Sequence, residues 1–344
     1  MDRAHSEALL NHLWRRGTEF LGCRYAIMCG AMTWVSERHL VAAISNAGGF
    51  GVIASGSMQP DILAAEIAET YKLTSQPFGV NLITLHPKLE QLVEVCLDSK
   101  VGHVVLAGGL PPGSAIQRLK QGGAKVMCFA PAVSLAKKLV RSGSDAIVIE
   151  GMEAGGHIGP VSTSVLAQEV LPAITDVPVF VAGGIGRGNA MLGYLEMGAS
   201  GVQLGTRFVC ATESIAHPNF KKAFIRAAAR DAMPSVALDN RFPVIPVRAI
   251  VNDGVRKFVE VQKQVIEKFD RGQLDQKAAQ LEIEHFWAGA LRRAVIDGDV
   301  ETGSLMAGQS VGMVTKEQST AEIIRDLIEE ALQALLDRPK SISG

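Results

Sequence analysis

A histidine in a glycine-rich stretch is the first place where this sequence could do chemistry. The stretch is Glu150-Gly-Met-Glu-Ala-Gly-Gly-His-Ile-Gly159, and it follows a short, largely apolar run at 145–149 that predicts a buried strand. Glycine lets the backbone turn sharply and approach a flat ligand closely. A histidine beside such a ligand can exchange protons near neutral pH. A short motif of this kind is also typical of a tight turn with a solvated histidine. The elements around it must therefore show which of the two interpretations applies.

The elements that position this stretch form a regular series of strand–helix units. The apolar runs are continuous in Val and Ile, which indicates strands buried on both faces of a parallel sheet. Eight units of similar length that close on themselves make an α/β TIM barrel, whereas a doubly wound sheet, the alternative, rarely has eight even units. The predicted strands span residues 24–28, 50–54, 78–83, 103–107, 125–129, 146–149, 178–182 and 201–204.

The series of strands and helices stops after residue 208, and the chain resumes a barrel-like pattern only near its end. A final amphipathic helix is predicted at 320–336, with one apolar stripe that packs on the barrel. Between these parts we expect a smaller cap of helices and extended chain, inserted before the last helix. The predicted division is a barrel of residues 1–214 and 303–344 with a cap of residues 215–302. An additional helix at 8–21 precedes the first strand, and the cap contains helices at 218–230, 257–269 and 276–288 and an extended stretch at 237–251.

Composition excludes several classes of function. The chain has 344 residues, a net charge of -1 and interspersed acidic and basic residues, which argues against a nucleic-acid surface or a basic membrane patch. Its five cysteines are widely spaced without a CxxC pair, so we expect neither a zinc site nor a disulfide framework. The polar N-terminus and the lack of a long apolar run predict a cytoplasmic protein without a membrane span.

Two glycine loops predict a phosphate site. In a TIM barrel the active site lies at the carboxyl ends of the strands, and phosphate binds most often after the seventh and eighth strands. Ala182-Gly-Gly-Ile-Gly186 follows the seventh predicted strand, and Gly205-Thr206 follows the eighth. Glycine is common in any such loop, but its presence at both positions favours a phosphate ligand. The phosphate would belong to a bound cofactor or to a phosphorylated substrate.

Four motifs in the same order resemble one family. They are GMEAGGHIG at 151–159, AGGIGRG at 182–188, VQLGTRFV at 202–209 and GSLMAGQSVGMV at 303–314. Together they resemble the nitronate monooxygenase (2-nitropropane dioxygenase-like) superfamily, and most of all its branch of FMN-dependent enoyl-acyl-carrier-protein reductases. The resemblance covers nearly the whole chain, from about residue 22 to the last helix.

The resemblance implies a bound FMN at the barrel mouth, with His157 as the catalytic residue beside it and no metal. Glu150 would hold the ribityl chain, and the glycine loops would hold the phosphate. Phe129 stands where some members carry a polar or basic flavin contact. The implied cofactor-binding residues are Ala31, Met32, Thr33, Asn81, Ile83, Glu150, Gly155, Gly156, Ala182, Gly183, Gly184, Gln203, Gly205, Thr206, Met306 and Gln309.

The resemblance favours an FMN-dependent enoyl-thioester reductase, in which flavin N5 delivers hydride, and other functions remain as alternatives. In an enoyl reductase, NAD(P)H acts as a transient substrate, and His157 delivers a proton or orients the thioester carbonyl. In a nitronate monooxygenase, oxygen is the oxidant and the histidine binds or deprotonates the nitro compound. An NADH:quinone reductase is a third possibility, and a non-catalytic phosphate binder or a flavin-free enzyme acting on a phosphorylated metabolite are further alternatives. Acyl carrier protein is a possible partner, and a homodimer is possible.

Overall fold

Eight parallel strands form a closed barrel in the computed structural model, which describes residues 2–242, 246–286 and 289–342. The strands, in chain order, are β1 (Ile27–Cys29), β2 (Val52–Ala54), β3 (Gly79–Ile83), β4 (His103–Ala107), β5 (Lys125–Phe129), β6 (Ala146–Glu150), β7 (Gly156–His157), β8 (Val179–Ala182), β9 (Gly201–Leu204), β10 (Ala232–Pro234) and β11 (Val247–Ile250). The order in the large sheet is β1-β9-β8-β6-β5-β4-β3-β2. The Cys29 N–H donates to the Phe50 carbonyl (2.9 Å) and the Phe50 N–H to the Ile27 carbonyl (2.9 Å), which joins the two ends of the sheet. The predicted TIM barrel is confirmed.

Helices surround the barrel as predicted, and the last one returns to it. In α15 the side chains of Ile323, Leu327 and Leu335 are buried in the barrel core. The first turn of α9 lies so close to α15 that a Cβ on Gly188 would be 1.9 Å from the Leu327 carbonyl oxygen. The helices are α1 (Arg3–Leu13), α2 (Arg15–Leu21), α3 (Arg38–Asn46), α4 (Pro60–Leu73), α5 (Leu89–Asp98), α6 (Gly113–Gln121), α7 (Val133–Arg141), α8 (Thr163–Val170), α9 (Gly188–Glu196), α10 (Thr206–Val209), α11 (Pro218–Arg226), α12 (Asp253–Asp270), α13 (Gln276–His285), α14 (Ala290–Val295) and α15 (Thr320–Ile342).

The N-terminal helices close the amino end of the barrel. The single helix predicted at 8–21 is in fact two helices, α1 and α2, which meet at the buried Trp14. The α2 helix lies against the strands so closely that a Cβ on Gly17 would be 1.9 Å from the Ser200 carbonyl oxygen. The Phe20 carbonyl lies 2.9 Å from Nε2 of His103, at the start of β4. The amino end is therefore filled, and a ligand must enter from the carboxyl ends of the strands.

A second, three-stranded sheet joins the inserted segment to the barrel. Strand β11 pairs antiparallel with β10 on one side and with the two-residue β7 on the other. Strands β7 and β10 were not predicted. Extended chain was predicted over 237–251, and among the described residues of that range only Val247–Ile250 form a strand. Residues 243–245 lie outside the described residues, as do residues 287 and 288 of the helix predicted at 276–288.

Part of the insertion has a hydrophobic core of its own. This second core consists of Phe242, Phe258, Val265, Ala279 and Ile283. In contrast, α11 and α14, which lie inside the predicted cap of residues 215–302, contribute side chains to the barrel core. Ala232 of β10 and Ile250 of β11 also belong to the barrel core. We therefore propose that the separately packed part of the cap is narrower than the predicted division and consists of α12 and α13 with Phe242. None of the helices in the described part of the chain is long and apolar enough to cross a membrane.

Candidate active site

A cavity of about 700 Å³ opens at the carboxyl ends of the barrel strands. Loops from the barrel, strand β7 and the segment before α15 all line it. The structure thus brings together segments that lie up to 280 positions apart in the sequence, from residue 30 to residue 310. The predicted site residues that line it are Ala31, Met32, Thr33, Asn81, Ile83, Glu150, Gly155, Gly156, His157, Ala182, Gly183, Gly184, Gln203, Gly205, Thr206 and Met306.

Gln309 is not among the residues that line this cavity, and its predicted role at the site stays a prediction. Its backbone N–H donates to the Glu153 carbonyl (2.9 Å), and the residue begins a short 3₁₀ helix, Gln309–Met313. Its neighbours Gly308 and Ser310 line the cavity instead. The Gly308 N–H donates to Oγ1 of Thr206 (2.9 Å), which ties this last loop to the loop after β9.

The loops after β8 and β9 form a wall made of backbone. Gly183 and Gly184 have φ values of 98° and 73°, which favour glycine. A Cβ on Gly183 would lie 3.0 Å from the Gly151 carbonyl oxygen. In the described part of the chain, the backbone N–H groups of Gly184, Gly205 and Thr206 donate no hydrogen bond. Because such groups need an acceptor, this corner fits an anion such as a phosphate.

The first loop and β3 form a second, mostly apolar wall. The hydroxyl of Ser36 accepts from the Met32 N–H (3.0 Å) and donates to the Gly30 carbonyl (3.0 Å), which fixes the loop. Asn81 is buried, and its amide donates to the Val105 carbonyl (3.2 Å). With Ile83, these residues leave a flat surface of small and apolar groups that fits a planar ring.

Glu150 ends β6 at the base of the cavity. The residue is partly buried there, and no hydrogen bond to its carboxyl is found within the described residues. Burial raises the pKa of this carboxyl to about 8. At pH 7 the group is therefore mostly protonated, so that it can donate one hydrogen bond and accept others. A ligand hydroxyl matches these properties.

His157 lies on β7, opposite Val247 of β11. Its side chain is exposed toward the cavity, and the surrounding walls lower the pKa of the imidazole below its usual value by burial. The ring is therefore neutral at pH 7, with one nitrogen as a donor and the other as an acceptor. Such a group can orient a carbonyl or exchange a proton at the cavity surface.

The loop before His157 is held by close backbone packing. A Cβ on Gly155 would lie 2.5 Å from the Gly308 backbone nitrogen, so glycine is required there by the last loop. Gly156 has a φ of 79° and leads directly into the histidine. The glycines of the motif therefore serve backbone packing as well as access to a ligand.

The cavity lining is almost free of charge. Its ionisable side chains, among the residues the structure describes, are Glu150 and His157, and no lysine or arginine contributes. Apolar residues that the sequence analysis did not select complete the lining. Phe220 on α11 and Leu291 on α14 could not be predicted from the sequence, because only the folding of the inserted segment brings these two helices to the barrel mouth. These additional residues include Leu85, Ile158, Phe220 and Leu291. Phe129, which stands where some members of the family carry a polar or basic flavin contact, also lines the cavity. No group of His, Cys, Asp and Glu in the described ranges could hold a metal ion.

A family comparison agrees with this geometry. The nitronate monooxygenase family model matches residues 15–92 and 87–330. The chain belongs to the nitronate monooxygenase family. The resemblance predicted from the four motifs is thereby confirmed.

Individual relatives cover nearly the whole chain. A Mycobacterium tuberculosis protein named (3aS,4S,5R,7aS)-5-hydroxy-7a-methyl-1-oxo-octahydro-1H-indene-4-carboxyl-CoA dehydrogenase is 30% identical, over 92% of this chain and 96% of its own. The structure of FabK from Thermotoga maritima is 37% identical, with a TM-score of 0.85 over 95% of this chain and 98% of that one. The nitroalkane oxidase of Streptomyces ansochromogenes is 26% identical, with a TM-score of 0.77 over 93% of this chain and 98% of that one.

These likenesses establish the class of the protein. It is an oxidoreductase, and its family depends on a flavin cofactor. The residues of the cavity fit such a cofactor. The unpaired N–H groups of Gly184, Gly205 and Thr206 suit a phosphate, the Glu150 carboxyl suits a hydroxyl, and the wall around Met32 suits a ring.

Proposed function

We propose that this protein binds FMN and uses NAD(P)H to reduce an enoyl thioester. The observation that carries the proposal is the uncharged cavity: within the described residues no cationic side chain lines it, and both of its ionisable groups, Glu150 and His157, are mainly neutral at pH 7. A buried anion without a partner is costly, so this lining favours a neutral thioester over an anionic nitronate. FabK, an enoyl-acyl-carrier-protein reductase, is 37% identical and supports an enoyl thioester. The CoA dehydrogenase, 30% identical, is named for a CoA thioester and supports only that broader substrate class.

Different residues of the cavity would bind different parts of the cofactor. The glycine loops and Thr206 would hold the phosphate of FMN, Glu150 a hydroxyl of its ribityl chain, and the loop of Ala31, Met32 and Thr33 the ring. When bound, FMN supplies hydride transfer from the nicotinamide to the β-carbon of the enoyl group. NADH or NADPH would enter and leave through the same open mouth.

His157 is the group that acts on the substrate. Its neutral imidazole N–H can donate a hydrogen bond to the thioester carbonyl oxygen, which withdraws charge from the α-carbon as the β-carbon is reduced. The α-carbon must also receive a proton. The ring can deliver a proton that its second nitrogen has taken up from solvent, and it then returns to the neutral form. The protein therefore contributes orientation and one proton at a defined position.

The second candidate function is nitronate oxidation. It is favoured by the name of the family model and by the likeness to nitroalkane oxidase. In that case the acceptor nitrogen of His157 would take a proton from the nitroalkane. The anionic nitronate would then lie in a cavity without a cationic side chain to pair with it, and this argues for the thioester.

Anaerobic stopped-flow spectroscopy separates the two functions. The purified protein should be yellow and should release FMN on denaturation. NADH or NADPH should bleach the flavin, and crotonyl-CoA should then restore its absorbance, while the saturated butyryl-CoA should not. Bleaching by propyl-nitronate but by neither nicotinamide would overturn the proposal in favour of nitronate oxidation.

A further inference from the structure

Arg248 is a buried guanidinium outside the cavity. It lies on β11 and is only 2% exposed. Its Nε donates to the Met152 carbonyl (2.9 Å), in the loop that leads to His157, and one terminal nitrogen donates to the Ala232 carbonyl of β10 (2.5 Å). No carboxylate lies within ion-pair distance of it among the described residues. Burying such a charge against carbonyl oxygens is costly in free energy. This cost indicates a role of the guanidinium in holding the segments to which it donates.

The backbone of Arg248 holds the same loop at its other end. Arg248 pairs with Gly156, and Val247 pairs with His157, in the antiparallel pairing of β11 with β7. The Ile158 N–H continues the pairing by donating to the Pro246 carbonyl (3.0 Å). The side chain thus fixes the start of the loop and the strand fixes its end, so that residues 152–158 are held from both sides by one cap strand.

A third segment meets the same residue. The Ala307 N–H donates to the Arg248 carbonyl (3.3 Å), and Ala249 forms a bridge with Met306. Strand β7 has two residues and could not hold its conformation alone. Its position over the cavity depends on β11. Within β11, Arg248 contacts the loop and β10 through its side chain and the last segment through its carbonyl.

We propose that Arg248 is a positioning residue that fixes His157 over the cavity by tying the loop of residues 152–158 to the cap. It does not touch the cavity; it acts on His157 through the Met152 carbonyl and the Gly156 pairing. A planar guanidinium can donate to two carbonyls in fixed directions, which a lysine ammonium cannot reproduce. The inference deepens the function proposed above and rests on it for its activity measurement alone.

The first test observes the imidazole itself. In protein labelled with ¹³C-histidine, the His157 signal is assigned by its absence from His157→Ala, and its pKa is measured in Arg248→Lys, in Arg248→Met and in the matched control Arg256→Met. Arg256 lies on the same cap with an exposed side chain. The titratable group that faces His157 in the cavity is Glu150, and the charged groups of the neighbouring loop and strand are Glu153 and Arg248.

A released loop should expose the ring to more water. The pKa of His157 should therefore rise toward its usual value in both Arg248 variants and stay unchanged in Arg256→Met. An unchanged pKa and chemical shift in the Arg248 variants would overturn the proposal. So would loss of the folded state or of the flavin in both of them, because Arg248 would then support the whole chain and not the position of one loop.

The second test is a double-mutant cycle on the rate of flavin reoxidation by crotonyl-CoA. Arg248→Lys should slow this step at least tenfold, lower kcat more than it changes KM, and leave flavin content unchanged. Adding Arg248→Lys to His157→Ala should cause no further loss, because the group being positioned is gone. Losses that multiply would contradict the proposal. If native protein fails to use thioesters, the proposed function is wrong, while the imidazole measurement still decides the role of Arg248.

Discussion

Two walls of one cavity are built in different ways. The barrel wall, formed by Gly183, Gly184, Gly205 and Thr206, presents backbone groups that strands β8 and β9 hold in place. The cap wall, formed by residues 155–158 together with Met306 and Gly308, is held by pairing with a strand from the insertion. We infer that the barrel wall holds the phosphate of the cofactor, whereas the cap wall, whose Gly155, Gly156 and Met306 are also predicted to contact the flavin, carries the histidine that acts on the substrate. Changes in the barrel wall should therefore affect flavin binding most, and changes in the cap wall should affect turnover most.

The largest effect should come from the core of the cap. Phe258→Ala removes a buried ring from the second core and should cost about 3–5 kcal/mol of local stability. Hydrogen exchange should then become fast across the peptides of residues 246–286. The flavin should stay bound, while reoxidation by crotonyl-CoA is lost. Leu281→Ala, an exposed position on α13, is the matched control and should change neither property. If the variant lost its flavin when the cap unfolded, the two walls would not have separate roles, and the inference would be wrong.

A glycine of the barrel wall should show the opposite pattern. Gly183→Ala would force a left-handed φ on alanine and push its Cβ against Gly151 and Thr163, at a combined cost of about 2–4 kcal/mol. We expect weaker flavin binding, measured by fluorescence titration of the flavin-free protein. Gly198→Ala has a similar φ of 104° but open space around it, and is the control for backbone strain alone. Equal losses in both variants would mean that strain, and not the flavin site, explains the result.

Glu150 should make the stability of the flavin-free protein depend on pH. Its pKa is raised by burial to about 8 in the folded state, so folding is penalised once the carboxyl ionises. This penalty to folding is absent below about pH 4.5, grows as pH rises and is complete above about pH 8. Glu150→Gln should therefore stabilise the protein by about 2 kcal/mol at pH 9, allowing for water in the cavity.

Urea unfolding at pH 9 and pH 4.5 measures this difference. Stabilisation by Glu150→Gln that is equal at both pH values would contradict the assignment of a raised pKa. The same substitution removes the acid proton that could bond a ribityl hydroxyl, but keeps an amide in its place. Flavin affinity should therefore fall only slightly.

The smallest effect should come from the rim of the cavity. Leu85 lines the mouth, yet it is 76% exposed, so it can contact only the outer part of a substrate. Leu85→Ala should raise KM for an eight-carbon enoyl thioester by about threefold and leave a four-carbon one unchanged, in line with less than about 1 kcal/mol of apolar contact. A matching change for both chain lengths would place Leu85 away from the acyl path.

The sequence predicted the barrel wall better than the cap wall. Strand–helix alternation and glycine at the ends of the seventh and eighth strands are local signals, and they placed Gly183 and Gly205 in the cavity. The pairing of Gly156 with Arg248 joins residues 92 positions apart, and a two-residue strand has no periodic pattern to reveal it. The hydrogen bond from the Gln309 N–H to the Glu153 carbonyl is likewise a contact between distant loops, and no local pattern predicts it.

Both the proposed reaction and the proposed role of the cap wall depend on His157. The most direct test is therefore the rate at which crotonyl-CoA reoxidises the reduced flavin, compared anaerobically between native protein and His157→Ala. We predict an unchanged visible spectrum, unchanged flavin reduction by the nicotinamide, and a reoxidation rate lowered about 10²–10⁴-fold. Equal reoxidation rates in the two proteins would contradict the assignment of His157 to the substrate.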